Sequence, residues 1–119
     1  MSAALKKILT DLTRLDGVKG AIIVSKDGML LEAVVPQKDF DPEDLGAAVS
    51  GIVNGVTKIG GQFELGEPRI ITMEYDDGMI VVGDLGENFV LVIADKSAMV
   101  GMIRNEIKRQ REKLKALVG

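Results

Sequence analysis

The sequence predicts a three-layer α/β sandwich, in which helices cover both faces of a five-stranded antiparallel sheet. Three observations lead to this fold class. The helical and strand patterns follow one another in the order α-β-β-α-β-β-β-α. The turns between successive strands are short, as they are between antiparallel neighbours. Several strands are nearly continuous in apolar residues, so both faces of the sheet must be covered.

Length and composition favour one globular domain that covers residues 1–119. Ordinary domains have about 100 to 150 residues, so a second core is not expected. Hydrophobic residues make up 46% of the chain, which is ample for a core. No stretch approaches the roughly 20 apolar residues of a membrane span, and no leader is recognised. We therefore expect a cytoplasmic protein without a transmembrane segment.

The first third of the chain predicts a helix followed by a β-hairpin. Five apolar residues recur at steps of three and four, as on one side of an amphipathic helix: Leu5, Ile8, Leu9, Leu12 and Leu15. Gly17 follows the last of them and is expected to end the helix. The apolar runs 21–24 and 29–35 flank a Lys-Asp-Gly turn at 26–28, so they predict the two strands of a hairpin.

The second helix begins with strong capping signals. Asp41 is placed to cap it, and Pro42 suits its first position. Glu43 and Asp44 lie where the positive end of the helix dipole favours acids. Glycines at 60–61 are expected to end the helix. Its inward apolar stripe is predicted to comprise Leu45, Ala48, Val49, Ile52, Val53, Val56 and Ile59.

The opposite face of this helix is short of charge. It comprises Ala47, Ser50, Gly51, Asn54, Thr57 and Lys58, of which only the last is charged. A solvated helix face ordinarily carries Lys and Glu, and glycine inside a helix costs about 1 kcal/mol relative to alanine. Close approach of another backbone would compensate for Gly51 and Gly55, so we expect a twin helix against this face across a two-fold axis. The alternative is a weak helix with small residues in solvent.

Three strands follow, at residues 69–75, 79–85 and 89–94, joined by two short turns. The first of them has a mixed second face, with Ile71, Met73 and Tyr75 on one side and Ile70, Thr72 and Glu74 on the other. Such a strand suits the edge of a sheet, where a second copy can satisfy the unpaired backbone groups. The alternative is an edge shielded only by its own Arg69 and Glu74.

A final helix carries an uneven share of the charge. Ser97 is placed to cap it, and its less regular apolar face comprises Met99, Met102, Ile103, Ile107, Leu114 and Leu117. Steps of four, three and four align a basic stripe of Arg104, Lys108, Arg111 and Lys115. The stripe could bind an acidic protein or an anionic lipid surface. We favour a simpler interpretation, a solvated face whose cations complement the helix dipole, with Glu112 beside them.

Net charge argues against a nucleic-acid-binding protein. From Met99 to the end there are six basic residues and two acidic ones, an excess of four. The net charge is −3, so the rest of the chain carries an excess of seven acids. Binding to nucleic acid rests on a broad basic face that neutralises phosphates. We therefore expect no nucleic-acid partner.

The sequence contains few residues that could act in catalysis or bind a metal. The chain has no cysteine and no histidine, which excludes disulfides, thiol catalysis and imidazole acid–base chemistry. Glycines within 55–62 have the spacing of a phosphate-binding loop, but the Lys and Ser/Thr that should follow are missing. The acidic cluster at 39–44 lacks the turning Gly of a calcium loop, and a hairpin turn explains the cluster at 74–77. We expect no catalytic residues, no cofactor, no metal and no enzymatic activity.

The sequence resembles the Roadblock/dynein light chain family over nearly its whole length. The likeness lies in the order and spacing of five segments: residues 12–21, which lead into a strand, the hairpin turn 26–28, the capped helix after Asp41, the paired glycines 83 and 86 before residues 89–92, and the opening of the last helix at 100–104. None of these is a catalytic fingerprint, so the resemblance rests on all of them together.

This resemblance implies a profilin-like sandwich that dimerises through its middle helices, here residues 44–59, and the edges of its third strands, here residues 69–75. Family members serve as subunits or regulators of Ras-like GTPases, as dynein-associated chains and as scaffolds on membranes. The bacterial gliding-motility member is a GTPase-activating homodimer. By resemblance to it, the chain would remodel the site of its partner instead of inserting an arginine.

Together, the residues and the resemblance predict a dimeric module that binds and regulates a small Ras-like GTPase. The predicted dimer or partner interface comprises Ala47, Ser50, Gly51, Asn54, Lys58, Arg69, Ile71 and Met73. The alternative is a non-catalytic scaffold or adaptor subunit of a larger complex, associated with a membrane or linked to a motor. A small-molecule sensor is a third hypothesis, but the sequence offers no convergent set of polar groups for a pocket.

Overall fold

The computed structural model describes residues 3–118, and the order of its elements is the predicted one. The three helices are α1 (Ala3–Thr13), α2 (Pro42–Gln62) and α3 (Val100–Val118). The five strands are β1 (Val18–Ser25), β2 (Leu30–Val34), β3 (Ile70–Tyr75), β4 (Gly78–Asp84) and β5 (Asn88–Asp95). Both ends of the predicted domain, at residues 1 and 119, lie outside the described residues.

The five strands form one antiparallel sheet in the order β2-β1-β5-β4-β3. Strand β5 is central, and its Leu91 pairs with Ile22 of β1 on one side and Val82 of β4 on the other. Strands β2 and β3 are the two edges. The predicted edge position of the strand at residues 69–75 is therefore confirmed.

Helices cover both faces of the sheet, as the nearly continuous apolar strands predict. Helices α1 and α3 share one face, where Leu5, Leu9 and Ile107 pack in one core cluster with the β1 residue Ile23. Helix α2 lies on the other face, where its apolar residues pack in a second cluster with Phe89 of β5. Full burial of each leucine or isoleucine stabilises the fold by roughly 2 kcal/mol.

Two glycines allow the helices to lie close to the sheet. A Cβ atom added to Gly46 of α2 would lie 2.9 Å from a methyl carbon of Val24 in β1. A Cβ atom added to Gly83 of β4 would overlap the side chain of Ile107 in α3. Larger residues at either position would push a helix away from the sheet, because well-packed interiors have no space for an extra methyl group.

The orientation of α2 about its axis differs from the predicted one. Its buried residues are Gly46, Val49, Ser50, Val53 and Gly60. The predictions that Ala48, Ile52 and Ile59 point inward and that Ser50 is exposed are wrong. Small residues face the sheet because they let the helix lie close to β1, and this rotation leaves larger apolar residues outside.

The start of α3 also differs from the prediction. Ser97 lies in a turn before the helix, where its N–H and its hydroxyl both donate to Oδ1 of Asp95. The first turn of the helix instead uses the carbonyl of Met99, which accepts from the N–H groups of Met102 and Ile103. The predicted Ser97 cap is wrong because the nearby carboxylate engages the serine in a local turn.

The edge strand β2 carries its own protection. It has only five residues, and its register with β1 shifts between Ile23 and Val24. The backbone N–H of Ala33 donates to Oε1 of its neighbour Glu32 at 3.1 Å. Short length, an irregular register and a charged side chain at a backbone amide all discourage the addition of another strand.

Candidate protein interaction site

Helix α2 carries most of the predicted site and is fixed at its N-terminus. Asp41 Oδ1 accepts the N–H of Glu43 at 2.9 Å, and Pro42 is the first helical residue, as predicted. Asp39 lies in the loop before α2, and its Oδ2 is 2.8 Å from Nζ of Lys19 in β1. This hydrogen bond lowers the pKa of Asp39 and raises the pKa of Lys19. The loop that leads into α2 is thereby tied to β1.

The side of α2 that points away from the sheet is apolar. We call this side the open face, and it comprises Ala48, Gly51, Ile52, Gly55 and Ile59, all exposed. The isoleucines at positions 52 and 59 are 45% and 53% exposed. Beyond the open face, the C-terminal end of the helix exposes Phe63, and the following loop exposes Leu65. Contiguous apolar surface of this kind marks interaction sites on soluble proteins.

The open face has the spacing of a helix-pairing surface. Ala48, Ile52, Gly55 and Ile59 follow one another at steps of four, three and four. These are the steps of the core positions in a coiled coil, where apolar residues fit between those of a facing helix. Small residues alternate with isoleucine along the row, so a second helix can approach closely.

No contact among residues 3–118 explains the glycines of the open face. A Cβ atom added to Gly51 or Gly55 would meet no heavy atom within 4 Å. Neither residue has a positive φ angle. Alanine would fit at both positions and would favour the helix by about 1 kcal/mol each. Contact with the backbone of another molecule is a reason for glycine that the single chain does not supply.

Strand β3 adds a second interaction surface on the same face of the sheet. Its outer edge pairs with no other strand of residues 3–118. Ile71 and Met73 point toward the α2 side of the sheet and are only half-buried, as is Ile80 of β4. Helix α2 lies over β1 and β2, so the apolar surface near β3 is left partly open.

The predicted interface residues are distributed in three ways. Exposed along α2 are Ala47, Gly51, Asn54 and Lys58, and Arg69 is exposed just before β3. The half-buried pair Ile71 and Met73 belongs to the β3 surface. Ser50 is buried, and its hydroxyl donates to the backbone carbonyl of Ala47 at 2.8 Å. The structure thus places seven of the eight residues on accessible surface and withdraws Ser50 from it.

Sequence reasoning missed the large apolar residues of this surface. The predicted core stripe includes Ile52 and Ile59, and the predicted interface does not include Phe63. The signal was present in the sequence: α2 has two apolar rows, and the row that includes both isoleucines also includes the unexplained Gly55. A single-chain rule that buries every apolar residue cannot tell a core row from a pairing row.

A buried ion pair joins α2 to the neighbouring turns. Lys26 Nζ lies 2.7 Å from Asp84 Oδ1 and 3.9 Å from a carboxylate oxygen of Glu67. The other oxygen of Asp84 accepts the N–H of Gly86 at 3.2 Å. Asn54 Nδ2 of α2 donates to the backbone carbonyl of Lys26 at 2.6 Å. This cluster fixes the β1–β2 turn against α2 and the β4–β5 hairpin.

Two features are absent from residues 3–118: a metal-binding cluster and a membrane-spanning helix. No group of three or more His, Cys, Asp or Glu side chains there is arranged to hold a metal ion. No helix there is long and apolar enough to span a bilayer. The open face and the β3 edge suit contact with another protein.

Structural comparison identifies the fold. The fold is that of the profilin-like sandwiches: profilin IB of Acanthamoeba castellanii matches with a TM-score of 0.66 and 12% identity, over 96% of this chain and 95% of profilin. Myxococcus xanthus MglB matches with a TM-score of 0.87 and 19% identity, over 98% of this chain and 95% of MglB. At these identities the likeness concerns the fold alone.

Sequence comparison then defines the family. The family model described as Roadblock/LC7 domain matches residues 5–95. The chain therefore belongs to the Roadblock/LC7 family, whose members are generally non-catalytic adaptors or regulators. An uncharacterized protein of Methanocaldococcus jannaschii is 29% identical over 117 residues, which are 98% of each chain. The predicted family and the profilin-like fold are both confirmed.

Proposed function

We propose that two copies of this chain pair through the open face of α2 and the free edge of β3, and that the dimer binds and regulates a small Ras-like GTPase. The open face is the observation that carries this proposal. Exposed isoleucines beside unexplained glycines are typical of a helix side that another backbone covers. A solved structure of MglB has a tetrameric arrangement, which supports self-association through this fold.

The same geometry leaves a surface for the partner. Ala47, Asn54 and Lys58 lie on one flank of α2, about a quarter of a turn from the row of Ala48, Ile52, Gly55 and Ile59, and Gly51 lies at the border between this flank and the open face. Pairing along the open face would keep this flank accessible and would bring the flanks of two copies onto one composite surface. The GTPase, as the class of partner, is inferred from the Roadblock family.

Regulation by this surface rests on differential affinity. Within α2 the only cation is Lys58, and the helix contains no arginine. An arginine inserted in trans stabilises the charge of phosphoryl transfer in many GTPases, and α2 has none to offer. The dimer would accelerate hydrolysis only if it bound the transition-state arrangement of the GTPase more tightly than its ground state.

The lack of an arginine in α2 also favours one alternative, a scaffold that holds the GTPase or other subunits without altering any reaction. Rates of GTP hydrolysis separate the two functions. We expect a purified Ras-like GTPase from the same organism to bind the dimer and to hydrolyse GTP faster in its presence. Unchanged hydrolysis despite binding would favour the scaffold, and absence of binding to any such GTPase would contradict the proposed regulation of a GTPase.

A charge reversal tests the partner surface. The Lys58→Glu variant should bind the GTPase more weakly while its own dimerisation is unchanged, because Lys58 is exposed on the flank of α2 and lies outside the row of Ala48, Ile52, Gly55 and Ile59. Lys113→Glu, an equal charge change on α3, is the matched control. If both variants bound the GTPase equally well, the flank of α2 would not be the contact.

Single cysteines test the pairing of the open face, because the chain has no cysteine of its own. We expect Ile52→Cys, Gly55→Cys and Ile59→Cys to give disulfide-linked dimers on mild oxidation, with the highest yield at the residue nearest the two-fold axis. Asn105→Cys on the exposed side of α3 should remain unlinked. Equal yields at all four positions would indicate random collision and would contradict the interface.

A bulky charged residue on the open face should prevent pairing. Gly51→Arg is expected to give a monomer by light scattering at high micromolar concentration, with unchanged helix content, because its side chain has free space within one chain. Gly101→Arg is the matched control, since Gly101 of α3 is also a helical glycine with open surroundings. A fully dimeric Gly51→Arg variant would count against this interface.

A further inference from the structure

Helices α1 and α3 together form a layer of strongly positive charge. Residues 3–14 and 100–118 contain nine Lys and Arg side chains and three acids, an excess of six positive charges. The remainder of the chain contains six basic and fifteen acidic residues, an excess of nine negative charges. We call the α1 and α3 side of the molecule the cationic layer. Its full charge emerges only from the fold, because α1 and α3 lie at opposite ends of the sequence.

Most cations of this layer extend into solvent. The helices turn apolar residues such as Leu9 and Ile107 toward the sheet, which leaves their charged residues outside. The side chains of Lys7 and Arg14 in and after α1 are about three-quarters exposed, at 75% and 76%. On α3, Arg109 is 66% exposed. The positive charge is therefore available to another surface.

The three acids of the layer neutralise only part of this charge. Each is bound to a basic neighbour within the layer, in the pairs Lys7–Asp11, Arg109–Glu106 and Arg111–Glu112. Four lysines have no ion-pair partner within 4.0 Å among residues 3–118: Lys6, Lys108, Lys113 and Lys115. They lie on both helices, so the unpaired charge is spread across the layer.

A groove extends the layer toward the edge of the sheet. It has a volume of about 430 Å³ and is lined by Arg69, Ile107, Lys108, Arg111 and Glu112. Arg111 is held in place because its Nε donates to the backbone carbonyl of Asp84 at 2.9 Å. Three cations face one acid in this groove, and guanidinium groups are well suited to phosphate oxygens.

We propose that the cationic layer docks the protein on an anionic lipid bilayer. Clusters of four to eight Lys and Arg residues suffice to hold a protein surface near anionic lipids. The unpaired lysines are distributed over two helices, so an extended anionic surface matches their spread, whereas the groove alone would contact a narrow acidic segment. Met99 and Met102, which are 64% and 51% exposed at the start of α3, add apolar contact at the level of the headgroups.

This docking is independent of the proposed GTPase function. The open face of α2 and the cationic layer lie on opposite faces of the sheet, so lipid contact leaves α2 accessible. The attraction is electrostatic and lacks an inserted anchor, because no Trp is present and no Phe or Tyr lies in α1 or α3. Binding should therefore be reversible and sensitive to salt.

Sedimentation with lipid vesicles tests the proposal directly. We expect the purified full chain to sediment with vesicles of phosphatidylcholine and phosphatidylglycerol, and to stay in solution with phosphatidylcholine alone. Binding should fall steeply as salt rises, since the Debye length shortens from about 10 Å at 0.1 M to about 3 Å at 1 M. Absence of sedimentation with the anionic vesicles at low salt would overturn the proposal.

A matched pair of double variants locates the contact. Lys108→Gln with Lys113→Gln removes two charges from the layer, and Lys38→Gln with Lys96→Gln removes two exposed charges elsewhere. Each lysine near an anionic surface strengthens binding about fivefold, so the first variant should bind roughly 25-fold more weakly. The second should bind within about twofold of the wild type, because its lysines lie outside the layer.

Two other outcomes would overturn the proposal. Equal loss in both double variants would show that net charge, and not the cationic layer, governs binding. Retention of the chain on immobilised polyglutamate or on single-stranded DNA, without sedimentation with anionic vesicles, would assign the layer to an acidic protein or to nucleic acid.

Discussion

The ion pair between Lys26 and Asp84 shows how a single contact can hold several elements in place. The carboxylate is almost fully buried, with its side chain 4% exposed, and the ammonium group at 2.7 Å compensates for the loss of water. Breaking a buried pair by removing one partner leaves an uncompensated charge, which is far more destabilising than losing the pair as a whole. The pairing was not predictable, because the two residues lie far apart in the sequence and only the sheet brings them together.

We predict that Lys26→Met lowers the free energy of unfolding by about 2 to 4 kcal/mol, as it leaves Asp84 buried without its cation. The double variant Lys26→Met with Asp84→Asn should recover a large part of this loss, because the uncompensated charge is gone. Urea unfolding of the two single variants and the double variant measures the coupling. A loss of less than about 1 kcal/mol in Lys26→Met would show that water already solvates Asp84.

At the level of the elements, periodicity, apolar runs and turn residues predicted all eight helices and strands in their observed order. The rotation of α2 was not predictable in the same way. Its residues form two apolar rows: the outer row contains Ile52 and Ile59, and the inner row contains the smaller Val49 and Val53 together with glycine and serine. Hydrophobicity alone assigns the larger residues to the core, whereas close packing against β1 selects the smaller ones.

We predict that Gly55→Ala changes folding stability and self-association in opposite directions. The added methyl group has open space and improves helix propensity, so the monomer should be stabilised by up to about 1 kcal/mol. The same methyl group separates two helices that pair along the open face, so the dimer should dissociate more readily. Thermal unfolding and analytical ultracentrifugation measure the two effects. If the monomer were stabilised by this amount and the dimer did not dissociate more readily, Gly55 would be exposed to solvent and would not lie in the dimer interface.

Across the whole molecule, the charge distribution gives the three layers different characters. The sequence already showed the positive excess of α3 and the acidity of the rest of the chain. Only the fold adds α1 to the same side, because packing decides which helices share a face of the sheet. Without histidine, the chain has no side chain that ordinarily titrates between pH 5 and 8, so its stability should vary little in that range.

Acid should destabilise the protein below about pH 4. Hydrogen bonds from Ser97 lower the pKa of Asp95, and a hydrogen bond from Arg109 lowers the pKa of Glu106. A carboxylate with a lowered pKa contributes stability above its ordinary pKa, and this contribution is lost as the pH falls through the folded-state value. Urea unfolding should show Asp95→Asn losing less stability between pH 5 and pH 2 than the wild type. Asp76→Asn, in an exposed turn, should follow the wild type.

The two edges of the sheet are unequal, and this limits how far the molecule can assemble. If β3 edges join two copies about a two-fold axis, the outermost strands of the pair are both β2. There Glu32 already occupies the amide of Ala33, and the strand is too short and irregular to template another. Growth by strand addition would therefore stop at the dimer. The sheet of one chain has two edge strands, but only β3 can pair with another copy, so dimerisation does not lead to a fibre.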